Sequence, residues 1–257
     1  MIYNIFNKYK YVSIEGNIGV GKTSLAKMIC KKFQIKGLFE NYITNPYLKS
    51  FYKNPRKYSY DVETYFLNQR IKSLKDSLEN SNKDEAVVSD YSIFKSLIFS
   101  KLNLNSTDFN KYVLEYDKGL SLIKSPNLII YLDASPVFLL ERIKKRGRDF
   151  EKNIPEIYLK NIEQGYKSFF IEKQTIKVLF YDISEKDFIN NDIDLNHLLE
   201  TVYNFWTLLK KSHITIPDAT LIFNECFVPN WGISIDFSIR VIISWETPLI
   251  SFPKTKA

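Results

Sequence analysis

The sequence predicts an α/β protein in three layers, a five-stranded parallel sheet flanked by helices. A short strand-rich or poorly ordered C-terminal extension follows it. Three observations carry this expectation. Short apolar runs alternate with stretches of helical period along the first 211 residues, the pattern of a parallel sheet with crossover helices. One run, Leu128–Asp133 (Leu-Ile-Ile-Tyr-Leu-Asp), is apolar at nearly every position, as in a strand covered on both faces. The first run passes through a glycine-rich loop directly into a helical stretch.

In chain order, residues 11–15 form an apolar run ending at glycine, and 22–33 follow with helical spacing. Residues 37–40 read as a second strand and 56–78 as a long helix. A polar turn at 80–83 precedes a third strand at 86–89, after which 92–102 and 107–123 are helical. The buried strand at 128–133 is the fourth, 136–145 and 155–172 are helical, 177–182 is the fifth strand, and 195–211 is the last helix. Beyond residue 211 the character changes. Residues 212–257 hold 3 cations, 4 anions, four of the nine prolines and two of the three tryptophans. Within them, 219–223 and 233–244 look strand-like. The expected organisation is therefore one domain over 1–211 and an extension over 212–257 of unassigned role.

Composition narrows the classes. With 45% hydrophobic and 25% charged residues in 257, the chain can bury a full core and is not of disordered type. No run of 18 apolar residues exists to span a bilayer, and the first eight residues lack the charged-then-apolar layout of an export signal. Two cysteines, Cys30 and Cys226, make neither a disulfide framework nor a metal-ligand pattern, so a cytoplasmic protein is expected. The net charge of +7 comes from 30 Lys and only 6 Arg. The lysines are scattered over polar helix faces without the clustering and interleaved aromatics of a nucleic-acid footprint. Neither a nucleic acid nor a membrane is an expected partner. Three of the six arginines, Arg142, Arg146 and Arg148, fall within seven residues.

The most specific motif is Gly16-Asn17-Ile18-Gly19-Val20-Gly21-Lys22-Thr23, which fits G-x-x-x-x-G-K-[ST]. Small residues let backbone N–H groups curl around phosphate oxygens, and the helix that follows adds its N-terminal partial charge. Lys22 can reach the β/γ-phosphates, and the Thr23 hydroxyl can ligate Mg²⁺. The position of the loop, between a strand and a helix, is the context this motif requires. A nucleoside triphosphate is the expected ligand, with ATP and Mg²⁺ as donor and cofactor. A switch-type GTPase would want a metal-binding Asp after a later strand, and Asp133 superficially qualifies. Its sequel instead enters a helix and the arginine cluster, which suits a lid (about 142–152) that brings guanidinium groups onto phosphates.

With these motifs in place the chain resembles the deoxynucleoside kinase family over about residues 10–205, and the resemblance implies the three-layer P-loop kinase fold. Glu15 to Thr23 looks like that family's phosphate loop. Glu40 sits where the family places its catalytic carboxylate, and a carboxylate ending a parallel strand beside the phosphate-loop strand is well placed to meet a bound alcohol. The run from Asn45 to Pro55 is similar to the segment bearing a sugar-contacting tyrosine, here Tyr52. Val87-Val88-Ser89-Asp90-Tyr91-Ser92 resembles the strand ending in Glu/Asp-Arg-Ser, and Arg146-Gly147-Arg148 with Glu151 resembles the lid. The resemblance implies phosphorylation of a deoxynucleoside 5′-hydroxyl. Lys22, Arg146 and Arg148 would stabilise the transferring phosphoryl, with Arg142 also at the triphosphate and Glu40 as base. Thr23 and Asp90 would hold the metal, and Tyr52 and Glu151 the 3′-hydroxyl. It also implies a homodimer.

Three positions depart from the family. Tyr91 replaces an arginine near the reacting oxygen, with Lys95 one turn on as a substitute charge. Glu63 stands where a glutamine commonly faces the base, and Ser96 where an aspartate often does. An ionised Glu63 only accepts; it suits the two adjacent donors of guanine or the amine of adenine and meets an acceptor in thymine. The expected acceptor is a purine deoxynucleoside, deoxyguanosine or deoxyadenosine. Arg70, two turns beyond Glu63 on one face, can pair with Glu63, contact the base or pin a neighbouring helix. The rival readings are a thymidylate-type monophosphate kinase, which needs extra cations for a second phosphate, and a non-catalytic subunit on a kinase scaffold.

Overall fold

Six consecutive buried residues, Tyr11–Gly16, form the first strand, β1, and its end is the start of the phosphate loop. The computed structural model describes residues 5–79, 85–173, 175–188 and 191–211, with two short strands at 222–223 and 241–242. Helix α1 (Lys22–Phe33) follows β1 and ends where Gln34 turns left-handed at φ 54°. The chain continues through β2 (Lys36–Leu38), α2 (Leu48–Lys53), the 25-residue α3 (Pro55–Glu79) and β3 (Val87–Ser89). Then come α4 (Phe94–Asn103), α5 (Ser106–Leu120), β4 (Leu128–Asp133), α6 (Pro136–Arg146), α7 (Glu156–Glu172), β5 (Val178–Asp182) and α8 (Asp192–Lys211).

Local chemistry sets several of these ends. Asn105 caps α5 by accepting from the Asp108 N–H, and Ser135 caps α6 by accepting from the Phe138 N–H ahead of Pro136. Gly147 closes α6 at φ 72°, a conformation glycine reaches without strain. The break between α4 and α5 thus falls at a capping asparagine, between the two stretches the sequence reads as separate helices.

The five strands form a parallel sheet in the order β2-β3-β1-β4-β5, with helices flanking it. All five strands expected from the sequence are present, β4 with the same ends. The core runs along the sheet: Val12, Ile14, Leu128, Ile129, Ile130, Val178 and Leu179 are without exposure. Tyr131 packs its ring 5.2 Å from Tyr166 and 5.0 Å from Phe180. Two expectations need correction. The second strand ends at Leu38, so Glu40 lies two residues past it. β2 is also not beside the phosphate-loop strand, because β3 inserts between them. Strand order is a long-range choice that sequence adjacency does not reveal. The carboxylate still arrives at the same edge, because all three strands are parallel and end together. The short helix α2, which carries Tyr52, had no periodic signal of its own.

Ile222–Phe223 and Val241–Ile242 pair as antiparallel strands β6 and β7, each inside a stretch that reads as strand-like. The rest of those stretches, the 80–83 turn, His213 and Cys226 lie outside the described residues. Among the described residues no helix is long and apolar enough to cross a membrane.

Among the described glycines, Gly16 makes the tightest approach to another segment's backbone. Its φ is 142°, and a β-carbon there would lie 2.6 Å from the Leu132 carbonyl oxygen of β4. Gly16→Ala is expected to destabilise the protein by about 1–3 kcal/mol, read as a lower midpoint of urea unfolding.

Candidate active site

The carboxyl ends of β1, β2 and β3 open onto one cleft, roofed by α3, α4 and the segment after α6. The phosphate loop forms its floor. Gly19 and Gly21 hold φ of 83° and 101°; a β-carbon at Gly19 would meet the Ile143 side chain at 2.7 Å. The loop is tied down from outside. Asn17 Nδ2 donates to the Leu159 carbonyl at 2.8 Å and Asn17 Oδ1 accepts from the Ile18 N–H. Arg142 donates to the Val20 carbonyl at 3.2 Å. Lys22 Nζ donates to the carbonyls of Gly16 and Asn17 at 2.9 and 2.8 Å. Burial, reinforced by the neighbouring Lys95 charge, pulls the Lys22 pKa down to about 7, against the pull of Glu15, Glu40 and Asp90.

The ladder between β2 and β3 extends one step past the strands, with the Asp90 N–H donating to the Leu38 carbonyl. That step aims Asp90 at two neighbours. Its Oδ1 accepts from the Glu40 N–H at 2.8 Å, and its Oδ2 accepts from the Thr23 hydroxyl. Thr23 and Asp90 are therefore in contact, although 67 residues separate them. Among the described residues no group of three or more His, Cys, Asp or Glu side chains could hold a metal by themselves. One carboxylate and one hydroxyl, completed by phosphate oxygens and water, are the ligand set Mg²⁺ takes in phosphoryl-transfer sites, so the residues present fit that ion.

Glu40 is the electrostatic centre. Arg70 Nε and one terminal nitrogen donate to Glu40 Oε1 at 2.8 and 2.6 Å, and Lys95 Nζ donates to Oε2 at 2.5 Å. Burial alone would raise the Glu40 pKa, but the two cations outweigh it and hold the group down to about 2. Of the three options for Arg70 in the sequence, pairing with Glu63 does not occur, and the link to a neighbouring helix does, through Ser96 of α4. It pairs with Glu40 and gives its remaining terminal nitrogen to Ser96 Oγ at 2.8 Å, the small residue in the aspartate position leaving that guanidinium without a second carboxylate. Tyr91 is buried and hydrogen-bonds with the Ser73 side chain, so it turns away from the cleft and Lys95 brings the nearby positive charge.

On the lid side, α6 runs through Arg146, Gly147 reverses the chain, and a short 3-10 turn spans Asp149–Glu151. Glu151 is 4% exposed and accepts from both Arg146 and, at 3.1 Å, Arg148. The Arg148 guanidinium lies 3.7 Å above the Tyr42 ring, and Tyr52 packs 5.6 Å from Phe150. Arg146, Arg148, Glu151 and Tyr52 all line the cleft, together with Lys22, Thr23, Glu40, Glu63, Arg70, Asp90 and Lys95. Arg142 does not; it braces the loop.

The deep end is built around Glu63 on α3. This carboxylate is 3% exposed and accepts from Asn103 Nδ2 at 2.7 Å, while Tyr158 donates to Asn103 Oδ1 at 3.1 Å. Phe66 and Phe99 add aromatic rings to the walls. Sequence reasoning missed Phe66, Phe99, Asn103 and Tyr158. Helical spacing holds the signal for three of them, since Phe66 follows Glu63 by three residues and Phe99 and Asn103 follow Lys95 by four and eight. Nothing local marks Tyr158.

Two carboxylates near the loop lie outside the cleft lining. Glu15, without exposure on β1, accepts from the Ser92 N–H and hydroxyl, both at 2.6 Å, and from the Tyr166 hydroxyl at 2.8 Å. It ties β1, the turn after β3 and α7 together. Asp133 faces Lys167 at 3.1 Å. The helix residues Cys30 and His197 are half-buried; the Tyr181 hydroxyl lies 2.7 Å from His197 Nδ1.

Residues 12–207 match the family model for deoxynucleoside kinase. Among curated proteins, a deoxyguanosine kinase of Bacillus subtilis is 37% identical over 197 residues, covering 75% of this chain and 95% of that one. A deoxyadenosine kinase of Dictyostelium discoideum is 37% identical over 164 residues, 62% of this chain and 66% of that one. Among solved structures, a deoxyadenosine kinase from M. mycoides with bound products dCMP and dCDP superposes with a TM-score of 0.63 at 27% identity. It covers 77% of this chain and 99% of that one.

Proposed function

The chain belongs to the deoxynucleoside kinase family and is a phosphotransferase to the 5′-hydroxyl of a deoxynucleoside, and on that premise we propose that its acceptor is a purine deoxynucleoside and its donor ATP with Mg²⁺. The observation that carries the acceptor assignment is the commitment of both spare cations, Arg70 and Lys95, to the one carboxylate of Glu40. A monophosphate acceptor would need those charges for its own phosphate; a neutral nucleoside does not. The relatives that phosphorylate deoxyguanosine and deoxyadenosine, and a carboxylate at the deep end that offers acceptors when ionised, support the purine.

In this reading the acceptor lies with its base between Phe66 and Phe99, its edge at Glu63, and its 3′-hydroxyl between Tyr52 and Glu151. Glu40 accepts the hydrogen bond of the 5′-hydroxyl and takes its proton as the bond to phosphorus forms. Arg70 and Lys95 keep Glu40 ionised and aimed. Lys22, Arg146 and Arg148 meet the charge on the transferred phosphoryl, for which Arg146 and Arg148 need only turn from Glu151. Thr23 and Asp90 would hold Mg²⁺, which when bound would neutralise charge on the phosphates. Residues 1–211 form the catalytic domain, and 212–257 an extension to it.

The test is a panel of nucleosides and monophosphates assayed with ATP. Formation of 5′-monophosphate from deoxyguanosine and deoxyadenosine is expected, with thymidine poor, no turnover of monophosphates, and loss of activity on chelation restored by Mg²⁺. Turnover of thymidine comparable to the purines contradicts the base assignment.

A further inference from the structure

Among the described residues no cation is in direct contact with Glu63. Arg70, on the same helix, gives its donors to Glu40 and Ser96, and Lys95 on α4 gives its ammonium to Glu40. Its direct side-chain partner is a neutral amide, Asn103 at the end of α4, which is itself held by Tyr158 of α7. The other ionisable groups around it are Glu40 after β2, Tyr112 of α5, whose hydroxyl lies 3.5 Å from the Glu63 backbone carbonyl, and Tyr52 of α2 across the cleft. A carboxyl so placed is stable in either protonation state. As drawn, Tyr158 donates to Asn103, and Asn103 donates to ionised Glu63. Rotating the amide reverses the chain: protonated Glu63 donates to Asn103 Oδ1, and Asn103 Nδ2 donates to the Tyr158 oxygen. Both states keep the Glu63–Asn103 and Asn103–Tyr158 contacts hydrogen-bonded.

We propose that Glu63 selects the base by its protonation state: ionised, it favours deoxyguanosine; protonated, it favours deoxyadenosine. The inference rests on the base edge meeting Glu63, as in the proposed function. An ionised carboxylate has about four lone-pair sites, of which Asn103 takes one, and it accepts N1–H and N2–H of guanine together. Against adenine it accepts from the N6 amine but sets an oxygen against the N1 lone pair. Once protonated, its hydroxyl donates to N1 while its carbonyl accepts from N6, and for guanine a donor now meets a donor. The two states thus rank the two purines oppositely. Burial pushes the Glu63 pKa up to about 7, against the Asn103 hydrogen bond and the more distant Arg70 and Lys95 charges, so both states are populated near neutrality.

The experiment measures kcat/KM for deoxyguanosine and deoxyadenosine with the full chain, from about pH 6 to about pH 8, on both sides of that value. The quantity read is their ratio. Titration of Lys22, which also falls near 7, affects both substrates alike and cancels. The deoxyguanosine-to-deoxyadenosine ratio is expected to rise at least about tenfold over this range, since the ionised-to-protonated ratio itself rises about a hundredfold. In Glu63→Gln, which keeps one donor and one acceptor at every pH, the ratio is expected to be flat and to favour deoxyadenosine. Direct binding of each nucleoside to the wild type at both pH extremes gives the same ranking independently of turnover and of the variant. Activity on both purines with a flat wild-type ratio overturns the inference while leaving the proposed function standing, and so does a ratio that still titrates in Glu63→Gln. Activity on neither overturns both.

Discussion

Glu40→Gln is expected to lower kcat by about 10²–10⁴-fold, the range for removing a positioned general base, with nucleoside binding weakened far less. The substitution keeps the shape but leaves Arg70 and Lys95 facing a neutral amide. Removing one partner of a buried ion pair costs about 3–5 kcal/mol; the amide oxygen recovers part of this, so a lowered unfolding temperature is expected beside the lost activity. Single-turnover rates on protein shown to be folded separate the two effects. A pKa near 2 makes Glu40 a weak base, which fits a loose phosphoryl transition state in which little charge builds on the attacking oxygen. Its larger task is to orient the hydroxyl. It follows that kcat has no acidic limb from Glu40 above about pH 4. A wild-type rate in Glu40→Gln removes the assigned base.

Lys22→Ala is expected to lower kcat/KM for the triphosphate by about 10²–10³-fold, as for other preorganised donors to a developing oxyanion. The pH dependence has a definite sign. Burial and the Lys95 charge bring Lys22 down to about 7, and only the ammonium attracts phosphate. In the free enzyme kcat/KM for the donor therefore falls as pH rises through that value. The bound triphosphate restores the proton, so kcat at saturation shows no such fall. Lys22→Arg, charged at every accessible pH, removes the limb. A donor kcat/KM that is level between about pH 6 and about pH 9 in the wild type contradicts this account.

Much of the fold was legible because its signals are local. The β4 run declares itself through uninterrupted apolarity. The phosphate loop does so through glycines whose φ of 142°, 83° and 101° other residues rarely adopt. Helix ends followed caps, as at Asn105, Ser135 and Gly147. The cleft residues were legible where a motif carries them, and where helical spacing relates them to a motif residue. Tyr158, placed at the cleft by packing of α7 against α4, had neither signal.

Sequence by itself determined the class of fold and the chemistry: a parallel sheet, a triphosphate loop, carboxylates and arginines in the order of a nucleoside kinase. Those properties belong to short segments, and residues a few positions apart fix them. The tertiary structure alone decided which charges meet. Inserting β3 between β2 and β1 sets Asp90 against both Thr23 and the Glu40 backbone. The packing of α3 on α4 delivers Arg70 and Lys95 to Glu40 and leaves Glu63 to Asn103. Electrostatics depends on distances and burial rather than on order along the chain, so two glutamates that read alike in sequence end with pKa values near 2 and near 7.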